Sequence, residues 1–321
     1  MKNNICFFGL LHFKTNENNN LNFNSINDNQ KFMIYLKNAI LLDKQLKFYG
    51  HKLILITNKK KYLNRLLKHL NYEIELKLIN FKTIVPKKTH FYSCHFRVDI
   101  FRYLSTLKNV YSVLLDLDVL VLSNPEKILY YQKKNISLVN NISQNVIPAY
   151  GRTKILKKLK TLNPNISKVV WYGGDFFAGN SYFYSLLYKK TKFYQKKFIE
   201  NIKDLYDQTD ELFMSASLHD LTNNKSVKIR FGNNLNVFNR YWNTNVFHFQ
   251  KKIDFYKRFI FLHLPADKIF LSKCYDNLKQ NQSYKEEYFD YVKDIKNVFR
   301  IKMAKYLPNK IKEKIKKILY N

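Results

Sequence analysis

Two aspartates, Asp116 and Asp118, interrupt an apolar stretch in the middle of the chain, Tyr111–Pro125. The apolar runs on both sides of them predict one buried strand of a parallel sheet. Alternate residues of an extended strand point the same way, so both carboxylates are expected on one side. Buried carboxylates are costly unless something neutralises them, and Mg²⁺ or Mn²⁺ with oxygen ligands is the simplest candidate. The alternative is a strand-end turn with solvated or Lys-paired aspartates.

A second stretch, Val169–Asn180, concentrates glycine. Three of the seven glycines of the chain lie here, namely Gly173, Gly174 and Gly179. Glycine allows the backbone to approach a ligand closely or to bend within a strand. Asp175 lies among aromatic residues in the same stretch, either as a turn residue or as a ligand for a substrate hydroxyl.

Two further stretches carry polar residues that could do chemistry. Asp210 and Glu211 lie in Asp207–Ser217, where acids could either stabilise a helix N-terminus or face a sugar. His263 ends the apolar stretch Phe259–His263, and Lys268 follows it by five residues. Such a histidine could be structural, but the pair also suits a metal and a phosphate.

The elements that would position these residues alternate along the first 125 residues. This alternation predicts an α/β fold with a parallel sheet, in which ligands bind at the carboxyl ends of the strands. The predicted strands are Ile5–Leu11, Lys52–Thr57, Tyr72–Ile79 and the Asp-bearing stretch, and the predicted helices are Lys31–Tyr49, Lys60–Leu70 and Phe91–Leu107. Thr15–Gln30 is Asn-rich and without periodicity, so we expect a loop there.

The second half of the chain has a different rhythm, and its end differs again. Its predicted elements are strands at Asn135–Asn140, Val169–Asn180, Val227–Val237 and Phe259–His263, a helix at Ser181–Glu200 and a basic helix or loop at Gly151–Asn165. We expect a catalytic domain at 1–275, divided at 125/126 into a nucleotide-binding half and an acceptor half, and a basic helical tail at 276–321. Asp294–Asn321 has the pattern of a basic amphipathic helix that lies on an anionic membrane, with packing back on the domain or a solvated tail as the alternatives.

Composition narrows the function classes. The net charge of +32 favours anionic ligands, but the lysines are spread along the chain and no RNP, KH or helix-turn-helix pattern is present. A nucleic-acid-binding protein is therefore a less favoured alternative. Three scattered cysteines form no metal or disulfide spacing, which predicts a reducing compartment. We recognise no cleavable signal peptide and no apolar segment of 18 residues, so a cytoplasmic location is expected.

Several of these stretches together resemble GT-A fold glycosyltransferases, whose signature is a hydrophobic strand that ends in Asp-x-Asp. His95–Leu104, HFRVDIFRYL, looks like the Arg- and Asp-bearing helix that precedes this strand in many bacterial members. Trp171–Asn180, WYGGDFFAGN, is similar to the Gly-rich acceptor-side strand of the retaining families six and eight. Asp207–Ser215 and His263–Lys268 look like the acidic helix and the late His…Lys motif of these families. The resemblance covers roughly residues 1–275 and implies a nucleotide-diphospho-sugar transferase fold, with a mostly parallel central sheet flanked by helices.

The resemblance also implies roles near a donor diphosphate. Asp116 and Asp118 would bind Mn²⁺ or Mg²⁺, with His263 as a third ligand, and Lys268 would contact the diphosphate. The metal would act as a Lewis acid on the leaving group. Three further residues, Phe8, Arg97 and Asp99, would lie near the nucleotide or donor sugar.

On the sugar side the resemblance leaves the stereochemistry open. Gly174 would lie near the transferred sugar or the acceptor. A retaining enzyme needs a group on the β face of the sugar, for which Glu211, Asp210 and Gln208 are the candidates. An inverting enzyme needs a base for the acceptor hydroxyl, for which Asp175 is the candidate.

The expected activity is transfer of a hexose from a UDP-sugar to a surface glycan or a lipid-linked acceptor. We expect this reaction to take place at the inner face of the cytoplasmic membrane. Retention is favoured by the resemblance, and the acceptors of the lipooligosaccharide or capsule type suit a peripheral membrane enzyme. A nucleotidyltransferase or a sugar-nucleotide hydrolase also places paired aspartates on a strand of an α/β sheet. An inactive scaffold with the same fold is the remaining alternative.

Overall fold

The computed structural model describes residues 5–13, 27–86, 89, 91–205, 209–223, 227–243, 248–276, 285–294 and 296. The strands are β1 (Ile5–Leu11), β2 (Leu53–Thr57), β3 (Glu75–Leu78), β4 (Tyr111–Leu115), β5 (Val119–Val121), β6 (Ser137–Asn141), β7 (Tyr172–Gly179), β8 (Ile229–Phe231), β9 (Phe238–Arg240) and β10 (Phe261–His263). The α-helices are α1 (Asp28–Phe48), α2 (Lys60–His69), α3 (Arg97–Leu104), α4 (Ile128–Lys133), α5 (Ser143–Tyr150), α6 (Arg152–Leu162), α7 (Ser181–Glu200), α8 (Glu211–Asn223) and α9 (Lys268–Asp276).

The large sheet has the strand order β3-β2-β1-β4-β7-β6-β8. The four strands from the first half of the chain are parallel, as predicted, whereas β7 runs antiparallel to both β4 and β6. The reversal of β7 determines where Asp175 lies. It brings the first residues of β7 to the carboxyl end of β4, where the backbone N–H of Asp116 donates to the carbonyl of Asp175 at 3.1 Å.

The Asp-bearing stretch is not the single strand that the sequence predicts. β4 ends at Leu115, and β5 begins at Val119 in a second sheet of three strands, ordered β5-β10-β9. The break arises because β4 pairs with β1 and β7, whereas β5 pairs antiparallel with β10. Asp116-Leu117-Asp118 is the link between the two sheets. The two carboxylates therefore converge through a bend of the chain and not through the pleat of one strand.

Hydrophobic side chains alternate between the two faces of the large sheet, and helices cover both faces. Phe8 packs in a cluster with residues of α3, α6, α7 and α8, whereas its neighbour Phe7 packs in a cluster with residues of α1 and α2. Phe7 and Phe8 are 0% and 1% exposed, and complete burial of such a side chain contributes roughly 1.5–3 kcal/mol. A third cluster lies under the small sheet.

Several element boundaries differ from the prediction. α1 begins at Asp28, inside the predicted loop, because Asn27 and Gln30 form a capping box; it ends before Gly50, whose φ is +76°. The strand predicted at Val227–Val237 is only Ile229–Phe231 and is followed by a short 3-10 helix. The stretch Gly151–Asn165, predicted to be a basic helix or a loop, contains helix α6.

The described part of the predicted tail packs on the domain. Residues 285–294 are helical, and Tyr288, Phe289 and Val292 belong to the third cluster. The hydroxyl of Tyr288 donates to Oδ2 of Asp267 at 2.9 Å. Asp267 is the residue directly before Lys268 in the sequence. Most of the basic amphipathic stretch, from residue 297 onward, lies outside the described residues. Within the described ranges, no helix is both long and apolar enough to cross a membrane.

Gly9 sets the packing beneath the Asp-x-Asp link. A Cβ at Gly9 would lie 2.5 Å from Cδ2 of Leu117, the residue between the two aspartates. We expect Gly9→Ala to lower the free energy of unfolding by about 1–3 kcal/mol, because Leu117 must move. In a Leu117→Ala background the same change should cost less, which a double-mutant cycle by urea unfolding would measure. Equal costs in the two backgrounds would contradict this packing.

Candidate metal and sugar-nucleotide site

Asp116, Asp118 and His263 converge where the two sheets meet. Their ligand atoms all lie within 4.8 Å of one another. Nε2 of His263 is 3.2 Å from Oδ2 of Asp118 and 3.7 Å from Oδ2 of Asp116. The strands bring this about, because β10 pairs with β5 and the N–H of Leu264 donates to the carbonyl of Asp118 at 2.8 Å.

The three residues fit a divalent cation. Oδ2 of Asp118 is buried and has no hydrogen bond of acceptable geometry in the described structure, although Lys268 Nζ lies 2.5 Å away. The distance makes this contact an ion pair. The Asp116 side chain is 28% exposed, so the cluster opens to solvent on that side. Two carboxylates and an imidazole suit Mn²⁺, and Mg²⁺ with additional water ligands.

Asp175 orients His263. Its Oδ2 lies 2.7 Å from Nδ1 of His263, on the far side of the ring from Asp116 and Asp118. A carboxylate that accepts from one imidazole nitrogen fixes the tautomer in which the other nitrogen can bind a metal. The structure thus places Asp175 behind the histidine. It is 1% exposed and also accepts from Asn140 Nδ2 at 3.1 Å.

Electrostatic interactions stabilise the charged forms of Asp118 and His263. Burial alone would raise the pKa of Asp118, but the charges of Lys268 and His263 hold that pKa well below its usual range. Burial alone would lower the pKa of His263, but Asp118 and Asp175 raise it to about 9. In the metal-free protein at neutral pH, His263 and Lys268 therefore both place positive charge beside Asp118.

Arg97 connects the first aspartate to the acidic helix. Its guanidinium makes an ion pair with Asp116, and its Nη1 donates to Asp210 Oδ2 at 2.6 Å. Burial would lower the pKa of Arg97, but these two carboxylates raise it. Gly174 makes the contact sterically possible, because a Cβ there would lie 2.8 Å from Asp210 Oδ2 and 3.0 Å from Arg97 Nη1.

Arg240 is a site residue that the sequence reasoning missed. Its Nε donates to Asp175 Oδ2 at 2.7 Å, and its Nη2 donates to Glu211 Oε1 at 2.6 Å. The other oxygen of Glu211 accepts from Trp171 Nε1 at 3.0 Å. Burial raises the pKa of Glu211, and Arg240 and Trp171 oppose that rise. Arg240 ends a strand of three residues with no motif around it, so no local signal identified it.

The described cluster carries more negative than positive charge. Five carboxylates belong to it (Asp116, Asp118, Asp175, Asp210 and Glu211), against three permanent cations (Arg97, Arg240 and Lys268). With His263 neutral, as a metal ligand must be, the balance is two negative charges, which one divalent cation neutralises. The charge balance and the ligand set thus support the same kind of ion.

Nine of the residues expected at the site lie in this cluster, and two lie elsewhere. The nine are Arg97, Asp116, Asp118, Gly174, Asp175, Asp210, Glu211, His263 and Lys268. Phe8 lies in the hydrophobic core, because the alternation of β1 turns its side chain into the sheet packing. Asp99 accepts from the backbone N–H groups of Lys82 and Thr83 at 3.1 and 2.9 Å, so it holds the loop after β3. Gln208 lies outside the described residues.

Comparison with known proteins identifies the fold. No protein-family model matches the chain, and no curated protein matches it in sequence. The structure resembles an active-site mutant of LgtC with a TM-score of 0.51 and 10% sequence identity, over 87% of this chain and 98% of that one. It also resembles apo mouse xyloside xylosyltransferase 1, with a TM-score of 0.47 and 10% identity, over 81% and 97%. The chain has the GT-A fold, as the sequence predicted.

Asp118 is expected to be required for metal binding. Asp118→Asn removes the buried charged ligand, so the affinity for Mn²⁺ measured by isothermal titration calorimetry should fall by about 100-fold or more. Asp254→Asn is the matched control, because Asp254 is an exposed carboxylate that pairs with Lys257 at 2.7 Å. Equal affinities for the two variants would show that Asp118 is not a ligand.

Lys268 is expected to have the opposite effect. Lys268→Met removes a cation that lies 2.5 Å from the Asp118 oxygen. Without a nucleotide, the affinity for Mn²⁺ should therefore rise, by roughly tenfold or about 1.4 kcal/mol. Lys257→Met is the control, since it breaks an exposed ion pair of the same kind. A fall in affinity for Lys268→Met, or an equal rise for Lys257→Met, would contradict competition at Asp118.

Proposed function

We propose that the protein is a metal-dependent glycosyltransferase that moves a hexose from a UDP-sugar to a surface glycan or a lipid-linked acceptor. The observation that carries this proposal is the Asp116–Asp118–His263 cluster, with its excess negative charge, at the sheet edge where a GT-A fold binds its donor. Asp116, Asp118 and His263 would hold Mn²⁺ or Mg²⁺ there, and the ion would stabilise the negative charge of the donor diphosphate. The cytoplasmic location and the contact of the C-terminal stretch with an anionic membrane belong to the same proposal.

The carboxyl ends of β1, β2 and β3 offer a place for the nucleoside. His12, directly after β1, lies with its ring 4.3 Å from that of Phe96 and 5.2 Å from that of Phe81. Asn58, directly after β2, donates to the carbonyl of Phe13 at 2.8 Å and accepts from the Phe13 N–H at 2.9 Å. Aromatic faces beside amide groups suit stacking and hydrogen bonding of a uracil base.

In the proposed reaction, the bond between the anomeric carbon and the diphosphate oxygen breaks, and its electron pair leaves with UDP. The metal supplies Lewis-acid stabilisation of the leaving diphosphate. Lys268 is placed to turn from Asp118 towards that diphosphate. The acceptor hydroxyl forms the new bond to the anomeric carbon, and its proton passes to the diphosphate oxygen of the departing UDP.

The environment of the acids supports retention. Of the three acids Glu211, Asp210 and Asp175, Glu211 is the most exposed, with a side chain 19% exposed. Arg240 and Trp171 orient its two oxygens. A carboxylate in that setting can stabilise an oxocarbenium-like sugar or bond to it transiently. Asp175 is 1% exposed and already bonded to His263, Arg240 and Asn140, which disfavours it as a base for the acceptor. Asp210 is bonded to Arg97 and is 3% exposed.

The decisive experiment follows UDP release from a panel of UDP-hexoses and UDP-N-acetylhexosamines, with and without Mn²⁺. We expect one donor to be hydrolysed slowly, with UDP and free sugar as products, and EDTA to stop the reaction. Release of a sugar phosphate or pyrophosphate instead, or no release with any donor, would overturn the proposed function.

Glu211→Gln should separate chemistry from binding. We expect kcat to fall by about 100-fold or more, because the neutral amide stabilises the developing positive charge poorly. The affinity for UDP with Mn²⁺ should stay within a few-fold of wild type, since Glu211 contacts none of the three proposed ligands. Glu200→Gln is the control, as its side chain is 56% exposed at the end of α7. Unchanged turnover in Glu211→Gln would remove the proposed role.

A further inference from the structure

Arg240 joins two parts of the site that the chemistry needs at the same time. On one side it binds Asp175, which orients the proposed metal ligand His263. On the other side it binds Glu211, the carboxylate proposed to face the donor sugar. Asp175 Oδ2 is shared between Arg240 and His263, at 2.7 Å from each. A single guanidinium therefore lies between the metal end and the sugar end.

The backbone fixes Arg240 next to His263. β9 and β10 are parallel neighbours, and Arg240 and His263 are register partners in the two strands. The N–H of Tyr241 donates to the carbonyl of His263 at 2.9 Å, directly after this pair. The position of one side chain is thus tied to that of the other through the small sheet.

The large sheet leaves room for the guanidinium. A Cβ at Gly173 would lie 3.0 Å from Arg240 Nη2, 2.5 Å from Asp175 Oδ1 and 3.2 Å from Asn140 Nδ2. Any larger residue in this part of β7 would push the three polar groups apart. The side chain of Arg240 is 11% exposed, so the ion pairs are shielded from solvent. Glycine at 173 and arginine at 240 fit one another across the two sheets.

A buried guanidinium with two carboxylates is weak evidence for stability, because the desolvation of three charges offsets most of their attraction. Its geometry is better suited to positioning: the planar fork holds two carboxylates at fixed angles, which a lysine cannot do. We propose that Arg240 is a positioning residue that aligns the metal ligand His263, through Asp175, with the sugar-facing carboxylate Glu211. The sugar-facing half of this inference rests on the proposed function, whereas the metal-facing half does not.

The test compares three variants that loosen different parts of the arrangement. Asn140→Ala removes a partner of Asp175 only, and Trp171→Phe removes a partner of Glu211 only. Arg240→Lys keeps the charge but cannot hold both carboxylates in the same geometry. For each variant, the Mn²⁺ affinity is measured by calorimetry, the kcat and KM for the donor are measured by UDP release, and Tm is recorded.

We expect Asn140→Ala to weaken Mn²⁺ binding by several-fold with a small change in kcat per metal-loaded enzyme. Trp171→Phe should lower kcat several-fold and leave Mn²⁺ affinity unchanged. Arg240→Lys should do both, with roughly 10- to 100-fold losses in Mn²⁺ affinity and in kcat at saturating metal. In Arg240→Ala, millimolar guanidinium chloride should restore part of both losses, whereas it should not affect Arg102→Ala, whose side chain pairs with Asp99 outside the cluster.

A purely structural role predicts a different outcome. Arg240→Lys would then lower Tm but leave the Mn²⁺ affinity and kcat of the folded protein unchanged. Guanidinium chloride would restore neither the Mn²⁺ affinity nor the kcat of Arg240→Ala. Either result would overturn the proposal. If the wild-type protein turns over no donor, the proposed function fails. The metal titrations of Arg240→Lys and Asn140→Ala still decide whether Arg240 positions His263.

Discussion

The buried carboxylate of Asp118 is the constraint on which the rest of the site depends. A charge that is 3% exposed must be neutralised within the protein. Lys268 and His263 supply that neutralisation, and both reach the same oxygen. For this, β10 must lie antiparallel to β5, and α9 must begin at Lys268 just after the turn that follows β10. The break between β4 and β5 is the structural consequence, since only a bend lets the chain leave one sheet and place Asp118 against the other.

From Asp118 the charges alternate outward in sign. His263 contacts Asp175, Asp175 contacts Arg240, and Arg240 contacts Glu211. A second, shorter series runs from Asp116 through Arg97 to Asp210. Two neighbouring glycines of β7 leave space for the arginine of each series. Gly173 lies beside Arg240, and Gly174 lies beside Arg97. The glycine pair is thus explained by the size of two guanidinium groups, a closer reason than a general need for backbone approach to a ligand.

The sequence predicted what depends on local pattern and missed what depends on pairing between distant strands. Asp116 and Asp118 could be identified because they interrupt an apolar stretch, His263 because it ends one, and Lys268 because it follows His263 by five residues. The split of the Asp-bearing stretch could not, since its two halves are equally apolar and only their partners, β7 and β10, differ. Arg240 was missed for the same reason: its role arises from its register with His263. Phe8 was misplaced because position in a strand does not reveal which face lines a ligand site.

The charge balance also links the binding of the donor to the binding of the metal in the proposed reaction. Lys268 is 7% exposed and is held by Asp118 and by the carbonyl of Pro265 at 2.7 Å, so it cannot reach a diphosphate without leaving the aspartate. Asp118 would then need another cation, which a bound Mn²⁺ or Mg²⁺ provides. Each event makes the other less costly, and by linkage each must increase the affinity for the other by the same factor. A donor that arrives with its metal satisfies both requirements in one step, whereas a nucleotide without metal leaves Asp118 with His263 as its remaining cationic partner.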